Sequence, residues 1–283
     1  MESLNFTKMQ GLGNDFVVIE ENELSKVKIS RPELAQKLCD RRFGIGADGL
    51  MIIIPKGTNT DLEWDFYNSD GTVAEMCGNG MRCFAKYVFE KGIITKNKFS
   101  VKTLAGVIIP EINQDGTITV NMGNPIFEPA NVPVVSAKTP VLNEKIVAKS
   151  KEFIFNAISM GNPHCVIFAG KNAKELALEY GKDIEFDSKF PKKTNVEFVE
   201  ILSKNEIKID VWERGCGITQ ACGTGACASV VAAILNNLTN NEVVANLPGG
   251  QLKIRWDGSI GDLKQNVFMS GVAEFVFSGK MLL

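Results

Sequence analysis

Two Cys-Gly-x-Gly elements stand in this chain: Cys77-Gly78-Asn79-Gly80 and Cys222-Gly223-Thr224-Gly225. Each precedes a stretch that reads as a helix, 81–91 and 226–236. A thiol can give or take a proton near neutral pH when its surroundings favour the thiolate. The glycines let the backbone turn sharply and approach a ligand closely. The helix that follows offers N–H groups without intrahelical partners and a partial positive charge. Two expectations result. Both thiols should be drawn down from about 8.5 toward neutrality. The N–H groups of Gly78, Asn79, Gly223 and Thr224 should hold a carboxylate. One sulfur then removes the proton beside that carboxylate, and the other returns a proton to the opposite face. This would invert a stereocentre without a cofactor, with the helix ends stabilising the charge that develops. A single copy of the element would read as a helix cap; the pair carries the inference.

The elements that position the two cysteines occur twice. Gly13-Asn14-Asp15-Phe16-Val17-Val18-Ile19 aligns with Gly161-Asn162-Pro163-His164-Cys165-Val166-Ile167. Trp64-Asp65-Phe66-Tyr67-Asn68 aligns with Ile209-Asp210-Val211-Trp212-Glu213. Leu104-Ala105-Gly106 and Asp115-Gly116 align with Leu247-Pro248-Gly249 and Asp257-Gly258. The order is the same in both halves, which implies an internal duplication. Each half reads as an opening strand (16–20; 165–168), a helix (31–39; 173–180), two strands (50–54 and 62–67; 196–201 and 208–212), the cysteine loop with its helix, and closing strands around an Asp-Gly turn. The fold class is therefore α+β, with two pseudo-symmetric halves, each a mostly antiparallel sheet wrapped on a central helix. The proline-rich stretch between about 125 and 150 separates them. The expected domains are 1–125 and 126–270, with 271–283 returning to the first.

Other polar residues fit a polar ligand. Asn14 and Asn162 are equivalent in the two Gly-Asn elements, and Asn68 and Glu213 are equivalent upstream of each cysteine. Asn195 opens a strand. Arg214 offers a planar fork for a carboxylate. His164 could tune a cysteine together with Glu213. Gly44-Ile45-Gly46-Ala47-Asp48-Gly49 matches the dinucleotide fingerprint by letter, but a helical stretch precedes it and a strand follows. That is the reverse of what the fingerprint needs, so it reads as a turn.

Composition excludes several classes. The chain has 283 residues, 45% hydrophobic and 23% charged, with a net charge of −2. Nothing there attracts nucleic acid or a membrane surface. No apolar run approaches the roughly 20 residues of a membrane span, and no signal peptide is visible, so a cytoplasmic location is expected. The seven cysteines are an odd number without a secretion signal, which argues against a disulfide framework. No Cys-x-x-Cys pair occurs and His164 is the only histidine, so no metal site is expected. Cys39, Cys83, Cys165 and Cys227 read as small buried hydrophobes.

On these residues the chain resembles the diaminopimelate epimerases. The matching elements are Gly11–Phe16, Tyr67–Gly71, Glu75–Arg82, Gly161–His164, Asn195–Phe198, Trp212–Gly215 and Ala221–Ala226, in family order across nearly the whole chain. The resemblance implies two similar domains, each a β-barrel around a central helix, with the active site in the cleft. It implies cofactor-free interconversion of LL- and meso-2,6-diaminopimelate in lysine and peptidoglycan precursor synthesis. Cys77 and Cys222 match the acid/base thiols. Asn14, Asn68, Asn162, Asn195, Glu213 and Arg214 match substrate-binding side chains. Gly78, Asn79, Gly223 and Thr224 match the backbone carboxylate grip, and His164 and Glu213 match residues that modulate the cysteines. A homodimer is implied. Gly49 and Ile218 depart from the usual glutamine and glutamate, which touches fine substrate contacts only. The residues alone leave three rivals: a proline racemase or hydroxyproline epimerase, a thiol redox or metal protein, and a non-catalytic amino-acid-binding module.

Overall fold

Parallel neighbouring strands need a crossover of a dozen or more residues between them, and a helix is the usual solution. This rule organises both halves of the protein. A computed structural model describes residues 3–55, 59–74 and 76–282. Glu75, which opens the first cysteine motif, lies outside them.

The first half runs β1 (Ser3–Gly11), β2 (Asn14–Glu20), α1 (Arg31–Cys39), β3 (Gly49–Ile54), β4 (Leu62–Asn68), α2 (Gly78–Glu90), β5 (Val101–Thr103) and β6 (Gly106–Ile108). The hairpin β7 (Glu111–Ile112) and β8 (Ile118–Asn121) follows, turning at Gly116 with φ 81°. The second half runs β9 (Val141–Ala148), β10 (Lys151–Ser159), β11 (Pro163–Phe168), α3 (Ala173–Glu185), β12 (Asn195–Ser203), β13 (Glu206–Glu213), β14 (Gly217–Ile218), α4 (Gly223–Leu235), β15 (Glu242–Leu247) and β16 (Gly250–Trp256). β17 (Val267–Gly271) and β18 (Glu274–Leu282) close the chain. Two compact units result: Met1–Asn121 with Ser270–Leu283, and Met122–Met269.

The first unit holds a sheet of order β18-β1-β2-β3-β4-β5-β6. Going from β1 to β6, the pairings alternate antiparallel, parallel, antiparallel, parallel, antiparallel. In the second unit the strands run β9-β10-β11-β12-β13-β15-β16, and from β10 to β16 the same alternation recurs. Each parallel step is bridged by a helix: α1 and α2 in the first unit, α3 and α4 in the second. The outer strands β18 and β9 are antiparallel to β1 and β10. The duplication read from the sequence is thus a duplication of topology.

Local chemistry explains the helices. Ser30 caps α1 and forms a reciprocal capping box with Glu33, with Pro32 in the first turn. α4 is apolar on nearly every side, from Ala226 to Ile234, and is buried accordingly. α2 likewise buries Met81, Cys83, Phe84 and Val88.

The structure differs from the sequence reading in several places. α2 and α4 begin at Gly78 and Gly223, three residues earlier than expected, because the cysteines themselves serve as caps. α3 runs to Glu185 rather than 180. β1, β9 and β10 were not anticipated. Among the described residues no helix is long and apolar enough to cross a membrane.

α3 seats the strand that leads to the second cysteine. Gly181 sits against Trp212 of β13 so closely that a Cβ there would lie 2.5 Å from Trp212 Cβ. Glu185, at the end of the helix, accepts from Trp212 Nε1 at 2.7 Å and from the Gly215 N–H at 3.0 Å. Those two bonds bracket Glu213 and Arg214. Gly181→Ala should therefore destabilise the protein by about 1–3 kcal/mol through overpacking. This runs against the roughly 1 kcal/mol that alanine gains over glycine inside a helix. Urea unfolding reads the sign, and a stabilised variant would contradict the close packing.

Candidate active site

Each catalytic candidate is the N-cap of its helix. Cys77 has extended backbone (φ −138°, ψ 116°), and its Sγ accepts the Gly80 N–H at 3.4 Å. Cys222 repeats this (φ −117°, ψ 106°), its Sγ accepting the Gly225 N–H at 3.3 Å. The sulfur takes the place that serine or aspartate oxygen usually fills. The N–H groups of Gly78 and Asn79, and of Gly223 and Thr224, belong to the first turn. There no intrahelical acceptor exists, so they are donors for an anion.

Around Cys77 the polar partners come from β2 and α2. The thiol donates toward Asn14 Oδ1 at 3.7 Å, and Asn79 Nδ2 donates to the same oxygen at 3.3 Å. Asn14 Nδ2 donates to Asp48 at 2.6 Å. Because a carboxylate can only accept, this bond fixes which end of the Asn14 amide faces the sulfur. Asp48 in turn accepts from Arg41 at 2.8 Å, and Arg41 also grips Asp15 with both guanidinium nitrogens. Lys8 pairs with Asp15 at 2.7 Å. Burial pulls the Asp15 carboxyl upward, but Arg41 and Lys8 outweigh it and hold the group at about 2. Asp48 was not named as a site residue from the sequence. It lay in the glycine-rich stretch read as a turn, and its reach to Asn14 depends on β2 and β3 being parallel neighbours.

Around Cys222 the partners come from β11, β12 and β13. His164 Nδ1 lies 2.7 Å from Glu197 Oε1, and Nε2 lies 2.9 Å from Asn162 Oδ1. His164 and Glu197 are both wholly buried. Cys222, His164 and Glu197 bring one sulfur, one ring nitrogen and one carboxylate oxygen within 4.8 Å of one another. Thr224 Oγ1 is 3.5 Å from the sulfur. Glu213 accepts from the Thr219 hydroxyl.

His164 is bonded to Glu197, which the sequence reading did not name as a site residue; the signal was the period of two along β12, which puts Glu197 on the face of Asn195, the register partner of His164. One sequence expectation is corrected here: Cys222 is not drawn down toward neutrality. Burial pushes its thiol well above the ordinary range, the Glu213 and Glu197 charges push it further, and the bonds from Thr224 and the Gly225 N–H offset this only in part. Desolvation wins over the helix end.

Of the remaining candidates, Asn195 is buried and ties the site together: its Nδ2 donates to the Pro163 carbonyl at 2.8 Å and its Oδ1 accepts the Arg214 N–H at 2.9 Å. Arg214 itself is exposed, with its guanidinium toward the Lys192 carbonyl. Asn68 is exposed at the end of β4 and donates to Thr72 at 2.9 Å. Gly49 has a packing reason: a Cβ there would lie 2.8 Å from the Phe66 ring and from the Tyr67 carbonyl. Cys39 and Cys83 are pushed up to about 12 by burial, as inert core thiols should be.

The profile of the diaminopimelate epimerase family matches residues 6–128 and 156–276. The chain belongs to the diaminopimelate epimerase family. It is 49% identical to the diaminopimelate epimerase of Desulforapulum autotrophicum over 98% of this chain and 99% of that one. It is 47% identical to that of Carboxydothermus hydrogenoformans over 99% and 100%. A chloroplastic member from Oryza sativa subsp. japonica is 42% identical over 98% of this chain and 80% of its own. Among solved structures, a phenazine biosynthesis protein of the PhzF family from Bacillus anthracis superposes with a TM-score of 0.72 at 13% identity, covering all of both chains. A hydroxyproline epimerase from Agrobacterium vitis gives 0.67 at 12% identity, covering 99% of this chain and 92% of that one. These two share the two-unit, sheet-rich α+β fold.

The charge reading of Cys222 is open to measurement. Glu213→Gln removes the negative charge that pushes hardest on Cys222, so Cys222 should become reactive toward iodoacetamide at lower pH, resolved cysteine by cysteine with mass spectrometry. An unchanged or higher midpoint would show that the sulfur does not feel Glu213.

Proposed function

We propose that this enzyme interconverts LL- and meso-2,6-diaminopimelate with no cofactor, using Cys77 and Cys222 as its acid/base pair. The observation that carries the reading is the pair of sulfurs, each capping a buried helix whose first N–H groups are available to a carboxylate. The family membership and the near full-length match to named diaminopimelate epimerases support the substrate.

In the proposed reaction one sulfur arrives as thiolate and the other as thiol. The thiolate takes the α-proton, and the C–H electron pair delocalises into the substrate carboxylate. The first-turn N–H groups of Gly78, Asn79, Gly223 and Thr224 stabilise that charge where it develops. The thiol on the other face then delivers its proton to carbon, so the configuration inverts and the protonated sulfur has changed sides. The upward push on Cys222 favours it as the thiol in the resting enzyme. Cys77 is then the base for the first direction. Asn14, Asn68 and Asn162 take the polar groups near the reacting carbon. Asn195, Glu213 and Arg214 take the distal amino-acid end, which proline lacks. His164 sets the surroundings of Cys222.

The expected outcome of an assay on LL-diaminopimelate is inversion with deuterium gained from deuterium oxide at that carbon. Cys77→Ala and Cys222→Ala should each lower kcat by on the order of 10²–10⁴ while the fold persists. Full activity in either variant removes the two-thiol mechanism. Racemisation of proline with diaminopimelate untouched removes the substrate.

We also infer a homodimer working in the cytoplasm. β18 lies at the edge of its sheet and exposes Phe275, Val276, Phe277 and Leu282. An exposed apolar edge strand pairs readily with another chain. Sedimentation velocity should show a dimer that Val276→Asp weakens; a wild-type monomer at all concentrations would sink this part.

A further inference from the structure

We propose that His164, Glu197 and Cys222 form a binding site for one thiophilic divalent cation, with Zn²⁺ as the best match, and that its occupation stops the enzyme. The site is inhibitory, not a cofactor site.

The donor set is the first argument. A thiolate, an imidazole and a carboxylate are the ligands zinc takes. Their donor atoms already lie within 4.8 Å of one another. Tetrahedral zinc wants its donors about 3.5 Å apart, so the His164–Glu197 pair, now at 2.7 Å, would open slightly to admit the cation while the sulfur moves in by about an ångström. The Thr224 hydroxyl, 3.5 Å from the sulfur, or a water completes four ligands.

The second argument is an unused lone pair. Glu197 is wholly buried, and its Oε2 has no hydrogen-bond partner among the described residues. A buried carboxylate oxygen left bare is costly; Oε1 faces His164, and rotation of the carboxylate would bring Oε2 to a cation. The third argument is the outer partner. With Nδ1 on the metal, the other ring nitrogen carries the proton and donates to Asn162 Oδ1, already 2.9 Å away. Metal-bound imidazoles almost always have such a partner. The helix end contributes too, since the Gly225 N–H faces the sulfur at 3.3 Å and favours thiolate.

The site belongs to the second half alone. Phe16 pairs with Gly49 as His164 pairs with Asn195, so Phe16 and Met51 occupy the register positions of His164 and Glu197. A Cβ at Gly80 would approach Met51 Sδ at 3.6 Å, where one at Gly225 would meet Glu197 Oε1 at 2.6 Å. Among the described residues the only such group of ligands is the one at Cys222.

The binding step balances without redox change. The Cys222 S–H bond breaks, its proton leaves to solvent, and the sulfur lone pair binds the cation. The ring proton on Nδ1 is exchanged for one on Nε2.

Calorimetric titration of the full chain with Zn²⁺ alone tests the site without turnover, so its failure would leave the epimerase reading intact. One cation per chain is expected, with loss of epimerase activity that a chelator restores. Glu197→Gln and His164→Gln should each weaken binding by at least about 10-fold, on the scale of ligand-shell changes, and Cys77→Ser should leave it unchanged. Cd²⁺ gives a second readout, since its thiolate charge-transfer band should vanish in Cys222→Ser. Affinity unmoved by both Glu197→Gln and His164→Gln would overturn the proposal. So would loss of binding in a folded Cys77→Ser protein, which would mean a cation bridging the two thiols.

Discussion

The sulfur of each cysteine closes the first turn of a buried helix, and the rest of the structure serves that contact. A thiol is a weak, long-reaching acceptor, and in this position it is pinned by the N–H of the glycine three residues on. A Cβ at Gly225 would lie 3.2 Å from the Cys222 sulfur and 2.6 Å from Glu197 Oε1. The glycine is therefore fixed by the crowding around the cap as much as by any turn. The two preceding first-turn N–H groups in each helix have no intrahelical acceptor. The proposed acid/base atom and the proposed anion grip thus come from one backbone arrangement.

Around that shared geometry the two halves have diverged. The sheet topology repeats strand for strand, yet the groups behind the sulfurs do not. Behind Cys77 stand an asparagine held by a carboxylate and two apolar side chains, Phe16 and Met51. Behind Cys222 stand a buried histidine–glutamate pair and a second carboxylate, Glu213. Burial and two negative charges push the second thiol well above its ordinary range, a set of causes peculiar to that half.

What the residues disclosed and what they hid divides along physical lines. The repeat and the presence of the four helices followed from local patterns, because glycine, proline and apolar periodicity act over a few residues; the first turns of α2 and α4 and the end of α3 did not. β10 was missed although it is rich in apolar residues, because it is flanked on both edges, buried along much of its length and without strict alternation. β1 was missed because its only apolar residues are Leu4, Phe6 and Met9, and the register shifts between Lys8 and Met9. Glu197 and Asp48 were missed for a different reason. Each reaches its partner only through parallel pairing across a helical crossover. Nothing in the intervening sequence states that register. The direction of the Cys222 shift was misread because the sequence displays the helix end but not the depth of burial that outweighs it.

The unequal backing of the two thiols has a consequence for turnover. In a two-base inversion the free enzyme that releases product is not the one that bound substrate, since the proton has migrated from one sulfur to the other. Before the next molecule of the same isomer can react, the protein must reset by trading protons with water. In a symmetric ancestor with twin halves, the two forms would have been isoenergetic and the reset neutral. Here burial and the Glu213 and Glu197 charges disfavour the Cys222 thiolate, while Cys77 stands beside Asn14 with a different set of neighbours. The overall equilibrium between the isomers cannot change, but two sulfurs in unlike surroundings make the reset after one direction of reaction a different step from the reset after the other.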